Sequence, residues 1–287
     1  MGTDKKERNF YDVRPLDTSP DALDEVRELF IRGGSAMSGD WSFLDWQYTK
    51  NPAGMAVGYN AYYQDLLVAH YVTIPIRAMV FGREASGVLS INTRTDAAHQ
   101  GQGLFTRLAE LTYTRAKELG HEFVVGVANE NSVYGFTKKL GFQHVGLLET
   151  RLTLSQPDLA DVKLDFSPIW DAPSVAWRLK NPSKSYKFSK KDSRAFLYGS
   201  SQRFSALIGE VDSNAVPEGL DTYGGGLNPI NLWIGMSGGT NWRSTLSIKV
   251  PQKLKNVPLN FIYRDLVGSR TLAPDGVRFW AMDFDSY

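Results

Sequence analysis

The chain has 287 residues, with 32 Lys and Arg against 31 Asp and Glu and a net charge of +1, which gives no electrostatic basis for binding nucleic acid or an anionic membrane. It contains no cysteine, so disulfides, thiolate nucleophiles and Cys-bound zinc are excluded, while 42% hydrophobic residues suffice for a substantial core. Residues 1–10 are too polar for a signal peptide, position 6 lacks the Ser or Thr that a myristoylated Gly2 requires, and the most apolar stretch, 66–81, is interrupted by His70 and Arg77. A cytoplasmic protein with no membrane partner is expected.

Taken in chain order, residues 10–16 read as a short strand. Ser19-Pro20-Asp21 starts a helix with Leu23, Val26, Leu29 and Phe30 on one face, and Gly33-Gly34 stops it. Trp41, Phe43, Leu44, Trp46 and Tyr48 suggest a second helix, ended before Pro52. Residues 59–63, 66–75 and 76–81 read as a meander of three strands, followed by a strand at 87–95, a glycine turn and an amphipathic helix at 104–119. A buried strand at 123–128, a helix at 132–140 closed by Gly141, and a strand over 143–154 complete a mixed sheet near residue 155. Residues 155–173 suit a connection, which divides the chain into domains 1–155 and 156–287.

The second half echoes the first. Trp46-Gln-Tyr-Thr-Lys-Asn-Pro52 resembles Trp177-Arg-Leu-Lys-Asn-Pro182. An apolar strand at 232–239, a Gly-Gly turn, a helix at 241–249 and a strand at 258–263 then parallel the order of elements from 87 to 128. A degenerate second copy of one fold is expected, with chance similarity as the alternative. Gly235-Met-Ser-Gly-Gly239 also satisfies G-x-S-x-G, the nucleophile elbow of serine hydrolases. That fold needs a histidine after the serine, and none follows His144.

The most informative segment is Thr95-Asp-Ala-Ala-His-Gln-Gly-Gln-Gly-Leu-Phe105. A strand ending in a glycine turn at a helix N-terminus points several backbone N–H groups at one place, an arrangement that suits a phosphate. No Gly-Lys-Ser/Thr follows Gly103, so it is no P-loop, and Thr106 stands where a dinucleotide-binding turn needs its third glycine. Gln100-Gly-Gln-Gly103-Leu-Phe105 fits a coenzyme A pyrophosphate loop of the form Gln/Arg-x-x-Gly-x-Gly/Ala, departing from it at Phe105.

With that loop the chain resembles the GCN5-related N-acetyltransferase (GNAT) superfamily over residues 9–155. Tyr11-Asp-Val-Arg-Pro-Leu16, Asn129-Glu-Asn-Ser132 and Lys138-Lys-Leu-Gly-Phe142 match other segments of that superfamily in order. The two Trp-containing segments and Phe279-Trp-Ala-Met-Asp-Phe-Asp285 further resemble two-domain bacterial members similar to sugar-nucleotide N-acyltransferases. The implied fold is α+β, a GNAT-like mixed central sheet flanked by helices, with a second, degenerate GNAT-like lobe. The implied co-substrate is acetyl-CoA or another short acyl-CoA, with no metal. The implied partner is a small-molecule amine, such as a nucleotide-linked amino sugar.

The resemblance also implies roles. The strands at 88–95 and 123–128 would part to admit the pantetheine arm. Asn92, Thr93, Arg94 and Thr95 would pair with it, and Gln100, Gly101, Gln102, Gly103, Leu104 and Phe105 would hold the pyrophosphate. Asn129, Asn131 and Ser132 would contact the coenzyme, Asn129 also being a catalytic candidate; Asn129 and Asn131 would hold the pantetheine amide or an ordered water, or else cap the following helix. Thr137 occupies the family's usual tyrosine position, so Tyr134, one turn earlier, is the candidate general acid. Trp41 and Trp46 would shape the acceptor pocket, unless they belong to the core. His99 abuts the loop, at its wall rather than at the thioester, and Glu130 reads as a base or as a helix-dipole residue. A non-catalytic acyl-CoA-binding module and a protein N-acetyltransferase are the alternatives. A transferase using charged tRNA is disfavoured by the net charge.

Overall fold

The computed structural model describes residues 10–34, 41–160, 162–200, 205–222, 230–243, 245–254 and 257–284. In chain order the elements are β1 (Asp12–Pro15), α1 (Pro20–Arg32), α2 (Ser42–Thr49), β2 (Val57–Tyr63), β3 (Leu66–Val80), β4 (Arg83–Thr95), α3 (Leu104–Glu118), β5 (Phe123–Ala128), α4 (Glu130–Tyr134), β6 (Gln143–Leu147) and β7 (Glu149–Thr153). Then follow β8 (Asp158–Leu159), β9 (Phe166–Pro168), α5 (Ala172–Leu179), β10 (Tyr186–Lys191), β11 (Arg194–Ser200), β12 (Ser205–Asp212), β13 (Asn231–Ser237), β14 (Thr240–Asn241), β15 (Ser247–Lys249), β16 (Asn260–Asp265) and β17 (Arg278–Trp280). No helix among the described residues is long and apolar enough to cross a membrane.

Local chemistry explains most of these bounds. Pro20 opens α1, where its missing N–H costs nothing, and the helix buries Leu23, Val26, Leu29 and Phe30 as the sequence pattern implies. The meander differs in one respect: residues 66–80 form a single strand that runs through Pro75. Asn51 Nδ2 donates to the Pro75 carbonyl at 2.8 Å, so that carbonyl points away from β4. The proline nitrogen points the same way, past the end of β2, and its lack of a proton removes no rung of the ladder.

The first sheet runs β1-β2-β3-β4-β5-β16-β6, antiparallel except for the parallel pair β4/β5, with β9 also on β3. Leu23, Leu29, Leu44 and Tyr48 pack beneath one face and Leu104, Leu108, Tyr113 and Phe136 on the other. This is the mixed α+β sheet that the sequence implies. The second sheet runs β10-β11-β12-β13-β7-β15, with β17 also on β13.

The boundary near residue 155 divides the chain but not the sheets. The expected strand over 143–154 breaks at Leu148, whose N–H donates to the Leu259 carbonyl at 2.8 Å; β6 stays in the first sheet and β7 joins β13 in the second. In return β16, from the C-terminal half, inserts between β5 and β6. Periodicity marks a strand without naming its partner, so this exchange has no local signature.

The repeat is present in a different alignment. Helix α5, the antiparallel run β10-β11-β12 and the parallel pair β12/β13 reproduce α2, β2-β3-β4 and β4/β5. Residues 231–237 thus stand for 123–128, not for 87–95. The helix expected at 241–249 does not form; β14 and β15 lie there. Strand 258–263 is found as β16, in the other sheet. The G-x-S-x-G glycines allow close packing: a Cβ on Gly235 would sit 2.5 Å from the Phe279 carbonyl, and one on Gly238 2.4 Å from that of Val277.

The two tryptophan motifs meet at the junction. Trp46 and Trp177 stack at 4.9 Å and 17°, and each indole N–H donates to the other's backbone carbonyl, at 3.0 and 3.1 Å. The Arg178 guanidinium lies 5.7 Å from the Trp46 ring centre and 4.8 Å from that of Trp177. The contact is reciprocal, each motif making the same hydrogen bond to the other. Trp46→Ala and Trp177→Ala are each expected to cost about 3–5 kcal/mol of stability. The double variant should lose less than the sum, because both changes remove one stack; urea denaturation of the four-protein cycle measures this.

Candidate functional site

Strands β4 and β5 pair only at Val88–Val124, Leu89–Val125 and Ser90–Gly126. Beyond that point they part, while β5 stays paired with β16 to Ala128. The opening is a cleft of about 710 Å³, walled by residues 90–95 of β4, the end of β5, and α4 with the turn behind it.

The β4 wall carries a bulge. Register against β3 shifts between His70 and Val72, and Asn92 adopts φ 44, in the left-handed region that Asn tolerates better than most residues. Its side chain is tied to α2: Nδ2 donates to Gln47 Oε1 at 2.6 Å and to the Tyr48 hydroxyl at 3.0 Å. The Tyr48 hydroxyl lies 3.1 Å from His70 Nε2, and His70 Nδ1 lies 2.7 Å from Asn60 Oδ1. One arrangement of protons satisfies the chain: Tyr48 O–H donates to Nε2 and Nδ1–H donates to Asn60. Burial pushes the His70 pKa down to about 3, which keeps the ring neutral, and burial also raises that of Tyr48.

At the mouth of the cleft, Asp96 accepts from the Ala98 amide and turns the chain into the glycine loop. Gly101 and Gly103 have φ of 79° and 74°, and a Cβ on either would meet nothing, so conformation rather than space calls for glycine. Gly103 begins α3 without a side-chain cap, leaving the first-turn amides available to an anion. Lys139 adds an ammonium to the same cleft.

At the end of β5, Asn129 caps α4: its Oδ1 accepts from the amides of Asn131 and Ser132, and Ser132 Oγ accepts from the Asn129 amide. The capping reading of Asn129 is therefore realised, and its Oδ1 is engaged with the helix. Tyr134 is 64% exposed on the cleft wall, whereas the Thr137 hydroxyl donates back to the Val133 carbonyl.

Asn92, Thr93, Arg94, Thr95, Gln100, Phe105, Asn129, Asn131, Ser132 and Tyr134 thus share one cleft. Gln102, Gly103 and Leu104 line an adjoining groove along α3 with Tyr11 and Arg107. Trp41 and Trp46 do not line the cleft, and Trp46 is buried against Trp177, in keeping with the core reading given for it as the alternative. His99 points elsewhere, with Nδ1 2.9 Å from the Tyr11 hydroxyl. Phe105 packs edge-on against Tyr71 and Phe136, and a Cβ on Gly135 would come within 2.9 Å of its ring. Gly135, the first residue of the π-helical segment Gly135–Lys139 that continues α4, thus makes room for the large residue in the loop.

Sequence reasoning missed Ser90, Gly126, Gly135, Lys139 and Leu259. Gly126, alone within an apolar strand, was a readable sign of a special backbone position. Leu259 had none, since it reaches the cleft only through strand exchange. No group of three or more His, Cys, Asp or Glu that could hold a metal occurs among the described residues.

Residues 22–145 match the family model described as acetyltransferase (GNAT) domain. No curated protein matches the sequence. Among solved structures, a conserved protein from Enterococcus faecalis V583 described as a probable N-acyltransferase is similar at 10% identity and a TM-score of 0.63, covering 90% of this chain and 73% of its own. A GCN5-related N-acetyltransferase from Kribbella flavida gives 13% identity and a TM-score of 0.58, covering 90% and 72%. Eis1 from Mycobacterium abscessus gives 14% and 0.56, covering 89% and 73%. At these identities the likeness is one of fold.

The buried imidazole makes stability depend on pH. A histidine whose folded pKa is about 3 and whose unfolded value is 6.5 binds more protons when unfolded. Its contribution is complete above pH 6.5 and is lost as pH falls toward 3. Unfolding free energies of the wild type and His70→Gln, measured across that range, should diverge in slope by about one proton.

Proposed function

We propose that the protein is an acyl-CoA-dependent N-acyltransferase that moves an acetyl or short acyl group directly to a small amine. The observation that carries this reading is the parting of β4 from β5 beside an uncapped, glycine-led helix N-terminus. The free strand edges offer backbone partners to an extended pantetheine arm, and the α3 amides and Lys139 suit its pyrophosphate. The GNAT domain match over residues 22–145 supports the same class of donor.

The amine nitrogen attacks the thioester carbonyl carbon. A C–N bond forms, the C–S bond breaks, the nitrogen gives up a proton and the departing thiolate takes one. Positioning and stabilisation of the oxyanion by the bulged β4 backbone would supply much of the rate. Tyr134, exposed on the cleft wall, is the candidate donor to sulfur. For the acceptor, the resemblance to sugar-nucleotide N-acyltransferases makes nucleotide-linked amino sugars the first class to test.

Calorimetric titration with acetyl-CoA and a longer acyl-CoA is expected to give saturable binding. Gly103→Glu should weaken it by about two orders of magnitude by placing a carboxylate at the loop, while Gly103→Ala, which shares the backbone strain, loses far less. Absence of binding by the wild type would defeat the reading. With an accepted amine, Tyr134→Phe should lower kcat about 10²-fold and leave the acyl-CoA Kd unchanged. Binding without thiol release across an amine panel would instead identify a non-catalytic acyl-CoA module.

A further inference from the structure

Helix α2 contacts a cleft-wall residue without lining the cleft. Gln47 and Tyr48 are buried and absent from its walls, yet both receive the Asn92 side-chain amide. Left-handed backbone is less costly for Asn than for most residues but still needs support from its surroundings. Here the holding contact comes from the side of β4 that faces α1 and α2, opposite the face that carries α3. We propose that Gln47 and Tyr48 are positioning residues for acyl transfer: through the Asn92 side chain they hold the β4 bulge in the conformation that presents its backbone to the acyl carbonyl.

This rests on the acyl-CoA reading above, and it adds residues that touch neither donor nor acceptor. The tether has a firm anchor. Trp46, immediately before Gln47, is fixed by the stack and the two hydrogen bonds with Trp177. Tyr48 is in turn oriented by His70, whose Nδ1 is committed to Asn60, so the phenol can give its proton to Nε2 and keep an oxygen lone pair for Asn92. Gln47, Tyr48, His70 and Asn60 are buried, so water does not compete for the anchor of the tether, while Asn92 itself is half-buried at the cleft wall.

The test uses Tyr48→Phe, Gln47→Leu and Gln47→Glu in the full chain. Three quantities are read: hydrogen exchange of the amides of residues 91–95, acetyl-CoA Kd by calorimetry, and kcat with an accepted amine. Tyr48→Phe and Gln47→Leu should exchange faster at 91–95 and lose kcat by about 10²-fold, with Kd within about threefold of wild type. Gln47→Glu keeps an acceptor oxygen facing Asn92 and should recover most of the lost rate. If exchange at 91–95 is unchanged, or if it rises while kcat stays at the wild-type level, the positioning role is overturned. Failure of the wild type itself to bind acyl-CoA is a different result and removes the acyl-CoA reading. Should Tyr48→Phe fail to fold, the Gln47 pair decides alone, because Gln47→Glu retains an oxygen that can accept from Asn92 and Gln47→Leu does not.

Discussion

Backbone hydrogen-bond accounting governs this structure. A strand in the middle of a sheet cannot lose a neighbour unless its remaining groups are satisfied elsewhere. β5 gives up β4 after Gly126, yet it remains ordered to Ala128 because β16 pairs with it along its whole length. Asn260 of β16 adds a side-chain bond, donating from Nδ2 to the Ala128 carbonyl at 3.0 Å, where the cleft wall ends. The strand that keeps the cleft open thus comes from the other half of the chain, and the halves are not separable into a catalytic unit and an appendage.

The second lobe obeys the same constraint and resolves it differently. β12 and β13 also run parallel for three rungs and then part. There β17 takes the vacated edge: Gly235 of β13 pairs with Glu149 of β7 on one side and with Trp280 of β17 on the other. A Cβ on Gly209 of β12 would lie 2.5 Å from the Met282 sulfur, so the segment following β17 packs against the far wall. The protein fills with its own chain the gap that the first lobe leaves to solvent. The second lobe also lacks the long helix that follows β4, having between β12 and β13 a 3₁₀ turn at Ser213–Ala215 among the described residues.

Legibility in the sequence follows the range of the interaction. The α1 face, the glycine turn, the α3 start and the Asn129 cap are set by neighbours within a few residues and were readable. Pairing across the chain was not. The 143–154 run is a single strand by pattern and two by partnership, and the 241–249 segment has helix-compatible composition but is held as β14 and β15 by β8 and β7. The aromatic motif repeated at 46 and 177 was visible. Its meaning as a self-contact was not, because a tryptophan that could stack on a ligand looks the same as one that stacks on its own copy.

In the proposed acyl transfer, the charge of the cleft would bear on how the amine reacts. Lys139 contributes a cation, the α3 N-terminus adds partial positive charge, and no carboxylate occurs among the described lining residues, while the Arg94 guanidinium is held by the Gly33 carbonyl. Such a field disfavours an ammonium ion near the thioester and lowers the pKa of a bound amine. It also favours the developing oxyanion and the departing thiolate. A strong general base is then less necessary than placement, since the field itself selects the nucleophilic form of the amine. Chemistry that depends on placement puts its demands on the β4 bulge, and the buried amide, phenol and imidazole behind Asn92 are where the fold meets them.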